Sequence, residues 1–422
     1  MTAKTRNLLW FTYLAVILCW QLNAFGSVLQ MMNSRELYIN ETKDPPGVSD
    51  FLYFYTAGAI ARSPQRAQAY NPELQHQVYE QVVQRKIEQI AFIQYTPFMF
   101  IFTSPFTFLP LNWAWLLWSL IGIACAICGL AVLLSDSEKS RPKIIGLLIA
   151  FIATCPDWSA FRSGQFAWFL MAIYSIYAFS FLKRQDILCG VMLALSTAKP
   201  QYTMLMAIPV LARRRFKTII AAAVTELVLL VGAGLVLGFP TIVNYPAAVL
   251  HAESNPHVYG ADPQLMTSIR GLLTTFQIPQ PQILTVCFAL SLVLCCAIMW
   301  IGTETYRTKA MVESDSSSED ADRWLLSLAI IGALTLSPHA HMYDLTLISV
   351  IGALTVPPCL AHWKRLPARI LAVIILAYPI ISWLLFLIAP ITFTAFALLN
   401  LVLLIVAIYF NRYPLGLKAQ LE

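Results

Sequence analysis

Apolar runs close in length to a membrane span recur along nearly the whole of this 422-residue chain. A helix needs about 20 predominantly apolar residues to cross the hydrocarbon core of a bilayer. Hydrophobic residues make up 58% of the chain and charged residues only 12%, whereas soluble domains carry about 25% charged residues. The pattern predicts an all-α polytopic membrane protein. The net charge of +6 lies in short clusters beside apolar runs, which is typical of membrane topology and not of nucleic-acid binding.

About twelve apolar segments are predicted to cross the membrane. They lie at roughly 8–28, 112–134, 144–160, 166–182, 187–199, 201–212, 218–238, 283–303, 324–337, 343–356, 370–389 and 391–410. Basic clusters between them, most densely at residues 213–217, mark the cytoplasmic side. Placing every cluster inside gives one membrane domain, 1–422, with both termini in the cytoplasm. Residues 29–110 and 239–282 then lie outside, and 304–323, rich in Ser, Asp and Glu, is predicted to be a flexible cytoplasmic linker.

The first external segment contains two smaller predicted elements. Residues 95–110 carry three prolines, which favours a re-entrant segment that enters the membrane without crossing it. Residues from about 72 to 90 predict a surface helix. An alternative topology, in which 95–110 crosses and 187–212 crosses once, moves two basic loops outside and is less favoured.

Four polar islands interrupt the apolar sequence, and the predicted topology places all of them on the external side. They contain Asp50, Arg162 with Gln165, Lys199 before Pro200, and residues 337–344 with two histidines. A cation at membrane depth is costly unless it faces a cavity or a partner. We therefore expect the islands to form a single site in which Lys199 contacts a phosphate group.

Each island also has an ordinary structural interpretation. Asp50 precedes an aromatic run and could simply cap a helix. Arg162 could be an interfacial side chain that reaches water, and Tyr95 could mark a turn. For Lys199 the functional interpretation is favoured, because a lysine at an external turn runs against the positive-inside trend.

Sequence motifs for soluble cofactors and metals are missing from the chain. It carries no P-loop, no dinucleotide-binding glycine motif and no nucleophile elbow, so the substrate is expected to be an activated molecule already in the lipid. His339, His341 and Asp344 have poor spacing for zinc, and the cysteines lie in apolar runs. We predict no cofactor and no metal. A magnesium site built from Asp50, Glu36 and Asp44 is the alternative.

The order of the islands resembles glycosyltransferase family 87. The resemblance rests on DFLYFYTAGAIA from Asp50, AYNP at 69–72, YTP at 95–97, SGQ at 163–165, AKP at 198–200, and SPH and HMYD within 337–344. It covers roughly residues 8–410. The family includes bacterial polyprenyl-phosphomannose-dependent mannosyltransferases of the GT-C membrane superfamily.

The resemblance implies a GT-C-type architecture with a large first external loop and no nucleic-acid partner. A sugar, mannose or another hexose or pentose, would move from a polyprenyl-phosphate donor to a lipid or glycan acceptor. The active site would face the periplasm or exterior of a bacterial inner or plasma membrane. Family patterns often carry an acidic residue where this chain has Met342, which leaves its donor and acceptor preference open.

Residue roles follow from this resemblance together with position. Asp50 matches the family's catalytic acidic residue and would be the general base. The remaining candidates would bind the donor phosphate or sugar: Lys199, Arg162, Gln165, His339, His341 and Tyr95.

A transporter or flippase of the cell envelope is the main alternative function, and a non-catalytic scaffold in envelope assembly is another. Transporters usually show internal repeats, and the sequence shows none. Transport predicts a site near the bilayer midplane that opens to alternate sides. Sugar transfer predicts a cavity at the external leaflet with a lateral opening for lipid.

Overall fold

A computed structural model describes residues 3–33, 50–84, 86, 92–137, 140–254, 262–309, 315–361, 366–387 and 392–412. Every regular element in these residues is helical, apart from one isolated β-bridge between Met266 and His341. The predicted all-α class is confirmed. The helices are α1 Ala3–Asn33, α2 Phe51–Arg62, α3 Pro72–Val83, α4 Pro97–Thr103, α5 Leu111–Ser137, α6 Arg141–Ile152, α7 Cys155–Ser163, α8 Ala167–Leu182, α9 Asp186–Leu195, α10 Pro200–Ala212, α11 Phe216–Leu237, α12 Phe239–Ser254, α13 Ile269–Thr274, α14 Gln280–Lys309, α15 Asp315–Leu336, α16 Ile348–Ala361, α17 Leu366–Leu387 and α18 Thr392–Arg412.

Six helices in the described residues are long and apolar enough to cross a membrane. They contain the segments Asn7–Gly26, Leu111–Asp136, Phe216–Leu237, Gln280–Glu304, Met342–Ala361 and Ala368–Leu387. Counting the bent pair α6 and α7 as one span makes seven. Several other predicted spans coincide with shorter apolar helices, such as Ala167–Leu182 and Asp186–Ala198. A count of twelve spans therefore remains a prediction.

The segment predicted as a span at 144–160 is a bent pair of helices. α6 and α7 meet at an angle of 64°, and Thr154 caps α7 by accepting a hydrogen bond from the backbone N–H of Asp157. Side chains of α17 form hydrogen bonds with backbone groups at this bend. The Ser382 hydroxyl accepts from Cys155 N at 3.0 Å, and Trp383 Nε1 donates to Ala153 O at 3.3 Å. Irregular backbone at membrane depth is tolerated only with such partners.

The segment 187–212 forms two short helices with Lys199 between them, as predicted. α9 continues into a 3₁₀ turn at Ser196–Ala198, and α10 begins at Pro200. Proline has no backbone N–H and cannot continue a preceding helix, so the chain turns at Lys199 and begins a new helix.

The two segments predicted to be external contain more helix, and shorter helices, than the sequence indicated. The surface helix predicted for about 72–90 ends at Val83, because Gln84 adopts a left-handed conformation with φ 57° and closes the helix through its N–H to Glu80 O. The residues just beyond lie largely outside the described part of the chain. The second of these segments, 239–282, contains α12 and α13. The proposed re-entrant stretch forms α4 and a 3₁₀ turn at Ser104–Phe108.

The linker predicted at 304–323 is helical at both of its ends. α14 runs to Lys309 and α15 begins at Asp315, while 310–314 lie outside the described residues. The acidic side chains of this stretch have specific partners, which composition does not reveal. Asp322 lies 2.6 Å from Arg213 Nη2, and Glu319 lies 2.6 Å from Arg323 Nη2.

These contacts belong to an ion-pair network at one end of the bundle. Its members are Asp136, Lys183, Arg184, Asp186, Arg213, Arg215, Glu319, Asp322 and Arg323. The polar islands lie at the opposite ends of the same helices. α10 begins after Lys199 and ends before Arg213, and its 13 residues correspond to about 20 Å. α8 likewise begins after Gln165 and ends before Lys183.

Candidate active site

A cavity of about 570 Å³ lies where the polar islands meet. All seven residues predicted for the site line it: Asp50, Tyr95, Arg162, Gln165, Lys199, His339 and His341. The volume lies in the range of small-molecule sites. The structure therefore brings the four islands together at one end of the bundle, which we call the cavity end. The other end is called the network end.

Asp50 immediately precedes α2 but does not cap it. Its side chain makes no capping hydrogen bond, and Oδ2 instead accepts a hydrogen bond from Gln165 Nε2 at 2.5 Å. The ordinary capping interpretation is therefore wrong. Burial raises the pKa of Asp50 above its usual range, and the Gln165 hydrogen bond and the charges of Lys199 and His339 only partly offset that rise. A carboxylate with a raised pKa suits a general base.

Gln165 is held beside Asp50 by the end of α7. Gly164 closes that helix with φ 61°, and a Cβ there would lie 2.6 Å from the Cβ of Phe51. Only glycine fits this turn at this approach. Gln165 is buried, and its Oε1 is enclosed without a hydrogen-bond partner in the described residues.

Tyr95 forms part of an aromatic wall of the cavity. Its ring stacks on Phe54 with centroids 4.2 Å apart and planes inclined by 9°. Its carbonyl accepts a hydrogen bond from Tyr70 OH at 2.5 Å. Burial, and then the nearby Asp50 charge, hold the pKa of Tyr95 well above its usual value, so the phenol stays protonated and can donate to a substrate.

Lys199 is buried and already paired. Its Nζ donates to Asp344 Oδ1 and lies 4.8 Å from the ring centre of Tyr343. Asp344 Oδ2 accepts from the backbone N–H of His341 at 3.0 Å. Asp344 belongs to the same island but is not among the residues predicted to form the site. The pair reduces the net positive charge that Lys199 presents to a phosphate.

Arg162 is the cavity cation without an acidic partner in the described residues. Its side chain is exposed, and its guanidinium carbon lies 5.5 Å from the ring centre of Trp158. A planar guanidinium presents five donors in a fixed arrangement that suits phosphate oxygens. Arg162 is therefore available to an anionic ligand without breaking an existing ion pair.

His339 contacts a carboxylate that sequence reasoning missed. Its Nδ1 lies 2.9 Å from Glu253 Oε1, and Glu253 Oε2 contacts the fully buried Arg270. Burial raises the pKa of Glu253, but His339 and Arg270 outweigh burial and lower that pKa to about 2. No local pattern could have identified Glu253, because it lies 86 positions before His339 in a stretch without a motif.

His341 belongs to the same island and is half-buried, as His339 is. Its ring centroid is 4.8 Å from that of His339. Burial, followed by the nearby charges of His339 and Lys199, holds the pKa of His341 well below its usual value. His341 is therefore neutral near pH 7 and offers a hydrogen bond but no charge.

Metal ligation was expected to be absent, and the described residues offer little for it. They contain no group of three His, Cys, Asp or Glu side chains that could hold an ion. Glu36 and Asp44, the alternative carboxylate ligands, lie outside the described residues. Metal independence therefore stays a prediction.

Apolar helices long enough to span a membrane, with a polar cavity at one end of the bundle, define a membrane protein that can bind a polar or amphipathic molecule. A family model described as glycosyltransferase family 87 matches residues 92–314, more than half of the chain. The chain belongs to glycosyltransferase family 87, and it is a membrane glycosyltransferase that uses a sugar donor and an acceptor. No curated protein and no solved structure matches it. Asp50, His339 and His341 lie outside the matched residues, so their roles depend on the geometry described above.

Proposed function

We propose that the protein transfers a sugar, mannose or another hexose or pentose, from a polyprenyl-phosphate donor to a lipid or glycan acceptor. The observation that supports this most is the cavity itself. It places Asp50, a carboxylate with a raised pKa, together with Lys199, Arg162 and His339. Inverting transfer from a sugar phosphate needs a base on the acceptor and cations or donors at the leaving phosphate.

Asp50 is proposed to act as the base. The acceptor hydroxyl gives its proton to the Asp50 carboxylate while its oxygen bonds to the anomeric carbon of the donor sugar. The bond from that carbon to the phosphate oxygen breaks, and its electron pair stays on the polyprenyl phosphate. Gln165, which donates to Asp50 Oδ2, orients the carboxylate for this step.

The leaving phosphate is proposed to bind between Arg162, Lys199 and His339. An ammonium has three N–H donors, and Asp344 takes one from Lys199, so the others remain for phosphate oxygens. Arg162 contributes a charge that no described carboxylate neutralises. The aromatic side chains of Tyr53, Tyr95 and Tyr343, which line the cavity, provide faces on which a sugar ring can stack.

The network end supports an orientation with the cavity outside. Arg213, Arg215 and Lys183 all lie at that end, and an excess of Lys and Arg marks the cytoplasmic side. The cavity then faces the periplasm or exterior of a bacterial inner membrane. Ion pairs that join α5, the α8–α9 turn, α10 and α15 at the network end also argue against a path through the bundle, which the transporter alternative requires.

The test is a donor panel. Purified protein in nanodiscs is incubated with polyprenyl-phosphate mannose, glucose and arabinose together with membrane glycolipid extract. We expect sugar transfer and release of polyprenyl phosphate with at least one donor. Turnover of none of the donors, combined with movement of labelled lipid across proteoliposome membranes, would favour the transporter.

A further inference from the structure

Glu253 lies between two charged contacts, one with Arg270 and one with His339. Its Oε2 contacts Arg270 Nη1, and its backbone carbonyl accepts from Arg270 Nη2 at 3.2 Å. The same Arg270 Nη1 donates to Pro338 O at 2.7 Å, directly before His339. Arg270 Nε donates to Gln280 Oε1 at 3.0 Å. The arginine therefore fixes both the glutamate and the backbone that carries the histidine.

The contact between Glu253 and His339 determines which ring nitrogen is free. Glu253 is ionised, since its pKa is lowered to about 2 as described above, so its oxygens can only accept. Two acceptors 2.9 Å apart would repel each other, so Nδ1 must carry the hydrogen in this contact. The contact is close but is not aligned as a hydrogen bond, and it leaves Nε2 as the ring nitrogen that can meet a ligand in the cavity.

Glu253 is poorly placed to be a second catalytic base. One oxygen faces His339 and the other faces Arg270, so a proton from an acceptor hydroxyl would have to displace one of them. Asp50, by contrast, makes a single side-chain hydrogen bond in the described residues. Carboxylates that hold a histidine through one nitrogen commonly set the orientation of the other.

We propose that Glu253 is a positioning residue that holds His339 so that Nε2 donates a hydrogen bond to a phosphate oxygen of the polyprenyl-phosphate ligand. This inference rests on the proposed function, because it assigns a role within the same site. It also selects His339 over the neutral His341 as the histidine at the phosphate. Glu253 then acts through His339 and makes no contact of its own with the substrate.

A double-mutant cycle on ligand affinity tests this dependence. The Kd of undecaprenyl phosphate is measured in nanodiscs for wild type, Glu253→Gln, His339→Gln and the double variant. A hydrogen bond to a charged group corresponds to about a ten-fold change in affinity. We expect each single variant to lose about ten-fold, and the double variant to lose no more than His339→Gln alone, because a residue acting through another adds nothing once that residue is gone.

The chain offers a matched control pair outside the cavity. His76 Nε2 lies 3.5 Å from Glu80 Oε1 on α3, and Glu80→Gln should leave the affinity unchanged. If Glu253→Gln does not give a monodisperse protein, Glu253→Asp takes its place with the same non-additivity expected. Fully additive losses would overturn the inference while leaving the donor class intact. Failure of the wild type to bind undecaprenyl phosphate would overturn the proposed donor class and the inference with it.

Discussion

Buried charge lies at both ends of the bundle, but the two ends use it differently. At the network end, Asp322 is held by Arg213 through Nε at 2.7 Å and Nη2 at 2.6 Å, and Asp136 contacts both Lys183 and Arg323. At the cavity end, Gln165 Oε1 has no hydrogen-bond partner, and Arg162 has no acidic partner in the described residues. The charged groups of the network end are paired with one another, whereas the cavity end keeps an exposed arginine beside a cavity.

This difference shows that buried charge alone does not mark a functional site. Structural ion pairs shift pKa values just as active sites do. The ion pairs of the network end join four parts of the chain that are distant in sequence. The cavity end differs because its polar groups are only partly paired and lie beside a cavity. There, the Asp50 carboxylate can still accept hydrogen bonds from a ligand, and the Lys199 ammonium can still donate them.

Removing the charge of Asp50 should give the largest effect on catalysis. Asp50→Asn keeps the shape of the side chain but cannot accept a proton, so kcat should fall about 100-fold to 10,000-fold. The raised pKa of Asp50 means that ionisation opposes folding near neutral pH, so the variant should unfold at the same or a higher temperature. Steady-state transfer assays and thermal unfolding measure both. Wild-type turnover in this variant would remove Asp50 from the mechanism.

Breaking an ion pair at the network end should lower stability and leave catalysis unchanged. Asp322→Asn leaves the buried Arg213 without its carboxylate, and breaking a buried pair costs about 3–5 kcal/mol. We expect a marked drop in thermal stability with unchanged turnover per folded molecule. A large loss of kcat in well-folded protein would mean that the two ends are not functionally separate.

Replacing Lys199 should weaken donor binding more than it weakens the chemical step. Lys199→Met removes the cation and leaves the buried Asp344 carboxylate without its partner. The single variant should therefore be less stable, and its donor affinity should fall about ten-fold or more. Adding Asp344→Asn should restore stability but not affinity. If the double variant recovers affinity, Lys199 is a structural partner of Asp344 and does not contact phosphate.

The pH profile should report the state of Asp50. A base must be ionised to act, and burial raises the pKa of Asp50 above the value of about 4 typical of a carboxyl. Activity should therefore fall as the pH is lowered, with a midpoint above that of an ordinary aspartate. His339 and Lys199 are the cations that oppose this rise. A profile flat down to pH 4 would contradict an aspartate with a raised pKa as the base.

The smallest expected effect is that of a chelator. Arg162, Lys199 and a histidine can offset the leaving charge without a divalent ion, so treatment with EDTA should leave the rate unchanged. Activity that disappears in chelator and returns with magnesium or manganese would make Asp50 a metal ligand as well as, or instead of, a base.

The sequence was most informative where a residue type was out of place. Lys199 was recognisable because a lysine and a proline between two apolar runs must turn the chain and find a partner. Asp50 and the histidine island were recognisable by their order along the chain. These features depend on local chemistry and on the cost of charge near a membrane, and both can be evaluated from the sequence.

Features that depend on distant contacts could not be predicted. Glu253 reaches His339 only because α12 packs over the cavity, and Asp322 meets Arg213 only through the packing of α15 on α10. Composition made 304–323 look like a linker for the same reason. The bend between α6 and α7 depends on Ser382 and Trp383 of α17, more than 200 positions away along the chain.

The most direct test of the central claim is to locate the donor. Cryo-electron microscopy of Asp50→Asn with a bound polyprenyl-phosphate sugar should show the sugar beside residue 50. Its phosphate should lie within hydrogen-bond distance of Lys199, His339 or Arg162, and its lipid tail should leave the cavity between helices. Density for the sugar phosphate at the network end, or anywhere outside the cavity, would contradict the account.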